Sequence, residues 1–251
     1  MGRVFATSDW HGCAYPAEKL ISYLKDDDKL YFLGDAIDRG DDGIELLNLL
    51  TKDPRVTYLC GNHEEFMYKT ILESLDHIYS DTLSIWLYGN GGSKTWSDIE
   101  LLDKEELLKY ANKIKAMPLS TEYHSPKGHT VILEHAGFTP GAVTFYSHDP
   151  LWDREHFYDK WMGNANTYIV HGHTPVQYLQ FDYGYIDQPP LTKEEMSLKH
   201  SWEDLPCDVQ WKPEVIRYCD GHKFDIDMCT VASGRVALLD LDTFEIKYFD
   251  E

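Results

Sequence analysis

Five short segments of this sequence place Asp, Asn or His, with Gly close by, directly after a run that reads as a β-strand. Residues 3–8 are followed by Asp9-Trp10-His11-Gly12, and residues 29–33 by Gly34-Asp35-Ala36-Ile37-Asp38-Arg39-Gly40. Residues 56–60 lead into Gly61-Asn62-His63-Glu64, 130–134 into His135-Ala136-Gly137, and 167–170 into His171-Gly172-His173-Thr174. Carboxylate, amide oxygen and imidazole together suit manganese, iron or zinc. The absence of cysteine from this ligand set argues against a structural zinc knot. Asp9 and His11 are two apart, so on an extended strand end both would face one side. A pair of metals about 3.5–4 Å apart needs a bridging carboxylate and can hold a hydroxide between them. Asp35, on the second strand between the two ligand sets, is the natural bridge.

Each segment alone has a plainer explanation. Asp9 or Asp35 could cap a helix, Asn62 could sit in a left-handed turn, and His135 or His173 could be a hydrogen-bonded structural residue. Asp38-Arg39 could be a surface pair of little worth. Five such coincidences at five strand ends favour one shared site, because ligands of open α/β sheets gather beyond the carboxyl ends of the strands.

The elements that must position these residues alternate. Strands are expected over 3–8, 29–33 and 56–60, with helices over 17–24, 43–50 and 64–75, a β-α-β-α rhythm that argues for a layered α/β fold. A helix is expected over 97–115, with Leu101, Leu102, Leu107, Leu108 and Ile114 on or near one face. Strands follow at 119–123, 130–134 and 167–170, then a hairpin from 231–241 and 245–249 with Asp242-Thr243 near its turn. Residues 182–222, rich in Asp, Glu, Pro, Tyr and Trp, read as an insertion or lid on one domain spanning 1–251.

The 251 residues are 43% hydrophobic and 14% aromatic, enough for a packed core. The net charge of −20 opposes nucleic acid and anionic membranes, since binding to either rests on Lys and Arg, but a small phosphorylated ligand responds to its local pocket. No signal peptide or membrane span is visible. The five cysteines lack CxxC spacing and read as reduced thiols of a cytoplasmic protein.

The motifs resemble the phosphoprotein phosphatase family of the calcineurin-like metallophosphoesterase superfamily. GDxHG appears as Ser8-Asp9-Trp10-His11-Gly12, GDxxDRG as 34–40 and GNHE as 61–64, with HAG at 135–137 and GHT at 172–174. The likeness covers roughly 3–175 and a closing segment, 226–242. It implies an α/β fold of two central mixed β-sheets flanked by helices, with the metal site at the strand carboxyl ends. It also implies that Asp9 and His11 bind a first metal, that Asp35 bridges, and that Asn62, His135 and His173 complete the second. Two divalent ions, Mn2+ first and Fe or Zn as alternatives, would be the cofactors. His63 would be the general acid, Asp38 its orienting carboxylate, and Arg39 and Arg154 the phosphate-binding arginines. A metal-bridging hydroxide would attack phosphorus directly.

Cys60 stands where many eukaryotic members carry Arg, and Pro175 where the wider superfamily often has a further ligand His. His171 is assigned to the strand end rather than to a metal. The chain looks like a bacterial or phage-type serine/threonine phosphatase, favoured as a monomer, acting on a phosphorylated protein or small phosphoester, with phosphotyrosine a further substrate. The alternative is a symmetrical diadenosine tetraphosphate hydrolase. Relatives of that kind tend to carry GNHD, so Glu64 leans away from it. The aromatic insertion, with Tyr183, Tyr185, Trp202 and Trp211, could then stack a base, but its aromatics read first as the hydrophobic packing of a lid.

Overall fold

The computed structural model describes residues 2–78, 80–141, 148–177 and 212–251. Among these residues, two five-stranded mixed sheets carry the fold. In the first, β1 (Val4–Thr7), β2 (Lys29–Phe32) and β3 (Val56–Tyr58) are parallel. β9 (Arg235–Asp240) and β10 (Ile246–Asp250) form the closing hairpin on the far side of β1. In the second, β5 (Thr130–Glu134), β6 (Thr167–His171) and β8 (Lys223–Asp225) run parallel, edged by antiparallel β4 (Ser120–His124) and β7 (Ile216–Tyr218).

Alternation along the strands divides the core. Phe5, Leu30 and Phe32 pack with helices α1 (Ala14–Tyr23), α2 (Gly43–Lys52) and α3 (Asn62–Leu75) through Leu20, Leu46, Leu47, Met67 and Ile71. Ala6 and Leu33 turn the other way, onto Val131, Leu133, Val170 and Phe224 of the second sheet. The two sheets therefore share one interior, and this face-to-face packing brings their parallel carboxyl ends to a common edge. No helix among the described residues is long and apolar enough to cross a membrane.

Three expectations change. The helix expected over 97–115 is two, α5 (Ser93–Ile99) and α6 (Lys104–Lys115), because the Asp103 side chain accepts from Glu106 N and starts a new helix. A short α4 (Thr82–Ser84) running into a π-helical turn, Ile85–Gly89, precedes them. Val231 lies in a helical turn, α7 (Thr230–Ser233), and the strand starts only after left-handed Gly234. Of the expected insertion, 182–211 lies outside the described residues, whereas 212–222 holds β7, an edge strand of the second sheet.

Candidate metal centre

The strand ends do not stay extended. Asp9, His11, Asp35, Asp38, Arg39 and His173 all have φ between 42° and 73°, a left-handed backbone that non-glycine residues adopt at a cost. Asp9 and His11 thus converge through a turn rather than by sharing the face of a strand, with His11 Nε2 3.9 Å from Asp9 Oδ1. Neither Asp9 nor Asp35 caps a helix; α1 and α2 start after Cys13 and Asp42.

Glycines make room for the carboxylates. A Cβ on Gly61 would fall on Asp35 Oδ1, and one on Gly172 would fall on Asp9 Oδ2. Glu64, fully buried at the start of α3, ties the loops together. Its Oε2 accepts from Asp35 N at 2.8 Å and Gly61 N at 3.0 Å, its Oε1 from Ala36 N at 3.0 Å and the Tyr58 hydroxyl at 2.8 Å.

Asp35 stands at the middle. Its Oδ2 lies 3.7 Å from both His11 Nε2 and His63 Nε2 and 3.5 Å from His135 Nε2, and its Oδ1 accepts from His63 N at 3.1 Å. Two groups able to hold a metal ion share it, namely His11-Asp35-His63 and Asp35-His135-His173. Asn62 Oδ1 sits 2.9 Å from His135 Nε2 and 3.0 Å from His173 Nδ1. The Asp9 carboxylate accepts from His173 N at 3.1 Å. The structure thus brings together all six sequence-expected ligands, Asp9, His11, Asp35, Asn62, His135 and His173.

The imidazoles are oriented by their backs. His11 Nδ1 lies 3.0 Å from the Ile37 carbonyl and His135 Nδ1 2.7 Å from the Leu33 carbonyl. Each carbonyl can only accept, so Nδ1 carries the proton and Nε2 presents a lone pair toward Asp35 or Asn62. His173 Nε2 is buried with no hydrogen-bond partner among the described residues. Acceptors facing acceptors call for a cation between them. The pull on protons points the same way. Burial drags His135 down, but Asp35 and then Asp9 overrule it and lift it to about 10, so that without a metal a proton on Nε2 takes the place a cation would fill. His11 and His173 are driven well below the ordinary imidazole range by burial, with Arg39 next for His11 and His135 next for His173. They stay neutral, as ligands must. The donor set therefore fits a pair of divalent metals.

His63 is held differently. Its Nδ1 lies 2.6 Å from Asp38 Oδ2, a carboxylate rather than a carbonyl. Arg39 spans the mouth, Nη1 2.7 Å from His11 Nε2 and Nη2 3.2 Å from His63 Nε2. Arg154 stands on the His173 side, its Nε donating to Thr174 Oγ1 at 3.1 Å. His171 ends β6 and faces the Tyr218 hydroxyl at 2.6 Å, away from the ligand set, as expected. Cys13, Cys60, Cys219 and Cys229 are free thiols. Burial pushes the Cys60 thiol up, as befits an inert one.

Residues the sequence reading passed over also shape the site. Asp227, just beyond β8, is raised to about 6, chiefly by burial, and Asp225 is raised well above its usual range by burial and Asp227. Asp9 in turn is raised well above its ordinary value by burial and by Asp227. Lys223-Phe224-Asp225-Ile226-Asp227 is a sixth strand-then-Asp signal, legible had β8 been assigned.

The sequence model of the calcineurin-like phosphoesterase family matches residues 2–226. Serine/threonine-protein phosphatase 1 of Salmonella typhimurium is 28% identical over 182 residues, covering 69% of this chain and 79% of its own length. Serine/threonine-protein phosphatase 2 of the same organism is 28% identical over 191 residues, covering 70% and 81%. A crystal structure provisionally described as a diadenosine tetraphosphatase superposes with a TM-score of 0.60 at 15% identity, covering 98% of this chain and 92% of its own; at that identity the likeness concerns the fold.

Proposed function

This chain belongs to the calcineurin-like phosphoesterase family, and from that premise we propose that it is a cytoplasmic, metal-dependent phosphoprotein phosphatase hydrolysing phosphoserine and phosphothreonine monoesters. The observation that carries this is the pairing of a shared carboxylate, Asp35, ringed by imidazole nitrogens, with a buried carboxylate–histidine dyad beside an arginine fork. The relatives named as serine/threonine phosphatases support the substrate class.

Asp9, His11 and Asp35 would hold one divalent metal, and Asp35, Asn62, His135 and His173 the other, with manganese the first choice for oxygen and imidazole donors. When bound, such a pair neutralises phosphoryl charge and supplies a nucleophile at neutral pH. Arg39 and Arg154 grip the equatorial phosphate oxygens from two sides. By distance His63 groups with His11 and Asp35, yet its ring is held at Nδ1 by the Asp38 carboxylate, which turns Nε2 toward the mouth where an acid must stand. Its Nε2, beside the Arg39 fork, gives a proton to the leaving serine or threonine oxygen, while Asp38 stabilises the ring at Nδ1.

The test is hydrolysis by metal-stripped protein with manganese added back, across phosphoserine, phosphothreonine and phosphotyrosine peptides and diadenosine tetraphosphate. Fast manganese-dependent phosphate release from the first two supports the assignment. Preferential cleavage of the dinucleotide overturns the substrate class while leaving the metal centre intact.

A further inference from the structure

The acid has a support that neither the motifs nor the ligand set accounts for. Trp86, in the π-helical turn, is fully buried, and its indole Nε1 donates to Asp38 Oδ2 at 2.5 Å. That same oxygen meets His63 Nδ1 at 2.6 Å. Asp38 Oδ1 has no partner among the described residues, so a fully buried carboxylate is held through one oxygen that faces both rings. An indole N–H is a donor only and cannot accept a proton from anything. It therefore anchors Oδ2 without competing with His63 for the proton.

The segment around Trp86 is shaped to deliver that contact. Widening from α to π pitch sits at the one turn that carries the indole, a place where such bulges often serve function. Gly92 N donates to Trp86 O at 3.0 Å, and a Cβ on Gly92 would fall on the indole ring. Gly91, at φ +78°, accepts at its carbonyl from Arg39 N at 2.9 Å, and a Cβ there would come within 2.8 Å of Arg39 Cγ. Thr95 Oγ1 accepts from Asp38 N at 3.0 Å. One stretch of chain, 86–95, thus holds the backbone of Asp38 and Arg39 and the carboxylate of Asp38.

We propose that Trp86 is a positioning residue for phosphoester hydrolysis, orienting the His63 ring through Asp38 so that Nε2 meets the leaving oxygen. This rests on His63 being the acid. The consequence is specific to esters of ordinary alcohols such as serine and threonine, whose alkoxides need a proton to depart. An ester of an acidic phenol departs unaided.

The experiment compares Trp86→Phe with His63→Asn on a phosphoserine peptide and on 2,4-dinitrophenyl phosphate, using the full manganese-loaded chain. A positioned general acid commonly contributes about 10²–10⁴-fold, so W86F, which loosens the acid without removing it, should lose part of that, about 10-fold or more, in kcat on the peptide. Its kcat on the dinitrophenyl ester, and KM on both, should hardly move. H63N should show the same split, more strongly. Where W86F folds poorly, replacing the indole by benzothiophene keeps the bicyclic shape without the N–H and should reproduce the split. A proton NMR spectrum gives a second readout: the Trp86 indole proton, identified by its loss in W86F, should lie downfield of the other indole protons and move upfield in Asp38→Ala.

Equal losses on both substrates, or an indole proton at an ordinary position, would make Trp86 a packing residue and overturn the proposal. An H63N protein without the split would instead remove the acid role of His63, and the positioning role with it.

Discussion

Glu64→Gln offers a calculable perturbation, because the carboxylate it alters is fully buried and every partner it has is a donor. Glu64 accepts three backbone N–H groups and one hydroxyl, joining the loop after β2 to the loop after β3. A glutamine of the same shape keeps one acceptor oxygen. Its best orientation leaves the oxygen on Asp35 N and Gly61 N and turns the NH2 toward Ala36 N and the Tyr58 hydroxyl. The hydroxyl can rotate to accept, but Ala36 N cannot. One buried N–H is then unsatisfied, at about 1–3 kcal/mol, and two charge-assisted bonds become neutral, at about 1 kcal/mol each, for a total of about 3–5 kcal/mol. For a chain of this size that corresponds to a fall in melting temperature of roughly 10 °C. Thermal and denaturant unfolding of metal-free protein would measure it. Isothermal titration with manganese should also show weaker binding, since Asp35 is carried on the loop that loosens. A variant within about 1 kcal/mol of wild type that binds manganese normally would refute the view that Glu64 welds the two loops.

Asp35→Asn should lose metal from both positions rather than one, because the same carboxylate serves both groups; two manganese ions per chain, by elemental analysis of the folded variant, would refute the shared role. Asp28 supplies a pH test away from the site. Burial pushes its carboxyl up, but hydrogen bonds from the Arg3 side chain, Lys25 N and Arg3 N outweigh this and hold it below the usual range. A depressed folded pKa stabilises the fold above the unfolded value of about 3.9 and loses that contribution as pH falls through the folded value. Asp28→Asn should therefore cost about 1–3 kcal/mol at pH 7, and its unfolding curve should approach that of wild type in acid. A gap that stays constant down to pH 2 would contradict the ion-pair explanation.

The candidate ligand set was legible because its chemistry is local. Strand, Gly and Asp or His recur within a few residues of one another, and each motif carries its own turn. Period-two alternation in Phe5-Ala6 and Phe32-Leu33 likewise marks two faces to be covered, and so a layered fold. β7 and β8 went unassigned because, unlike the equally short β3, which sits in the apolar run 56–60, they stand among charged and polar residues, and so Asp227 just after β8 was missed. The break between α5 and α6 was hidden by Leu101 and Leu102, which continue an apolar pattern across residues where Asp103 restarts the helix.

From sequence, then, came the α/β architecture and the candidate metal-binding groups, and from the family resemblance the roles proposed for Asp38, His63, Arg39 and Arg154. Only the tertiary structure decided how they meet. Left-handed turns at Asp9, His11 and Asp35, rather than strand alternation, bring the ligands together. Carbonyls of Leu33 and Ile37, remote in the chain from His135 and His11, decide which imidazole nitrogen faces inward. Trp86 reaches Asp38 across 48 residues. Periodicity records a residue's immediate neighbours along the chain, and a hydrogen bond between distant segments leaves no period behind, so the support of the site became visible only once the two sheets had packed.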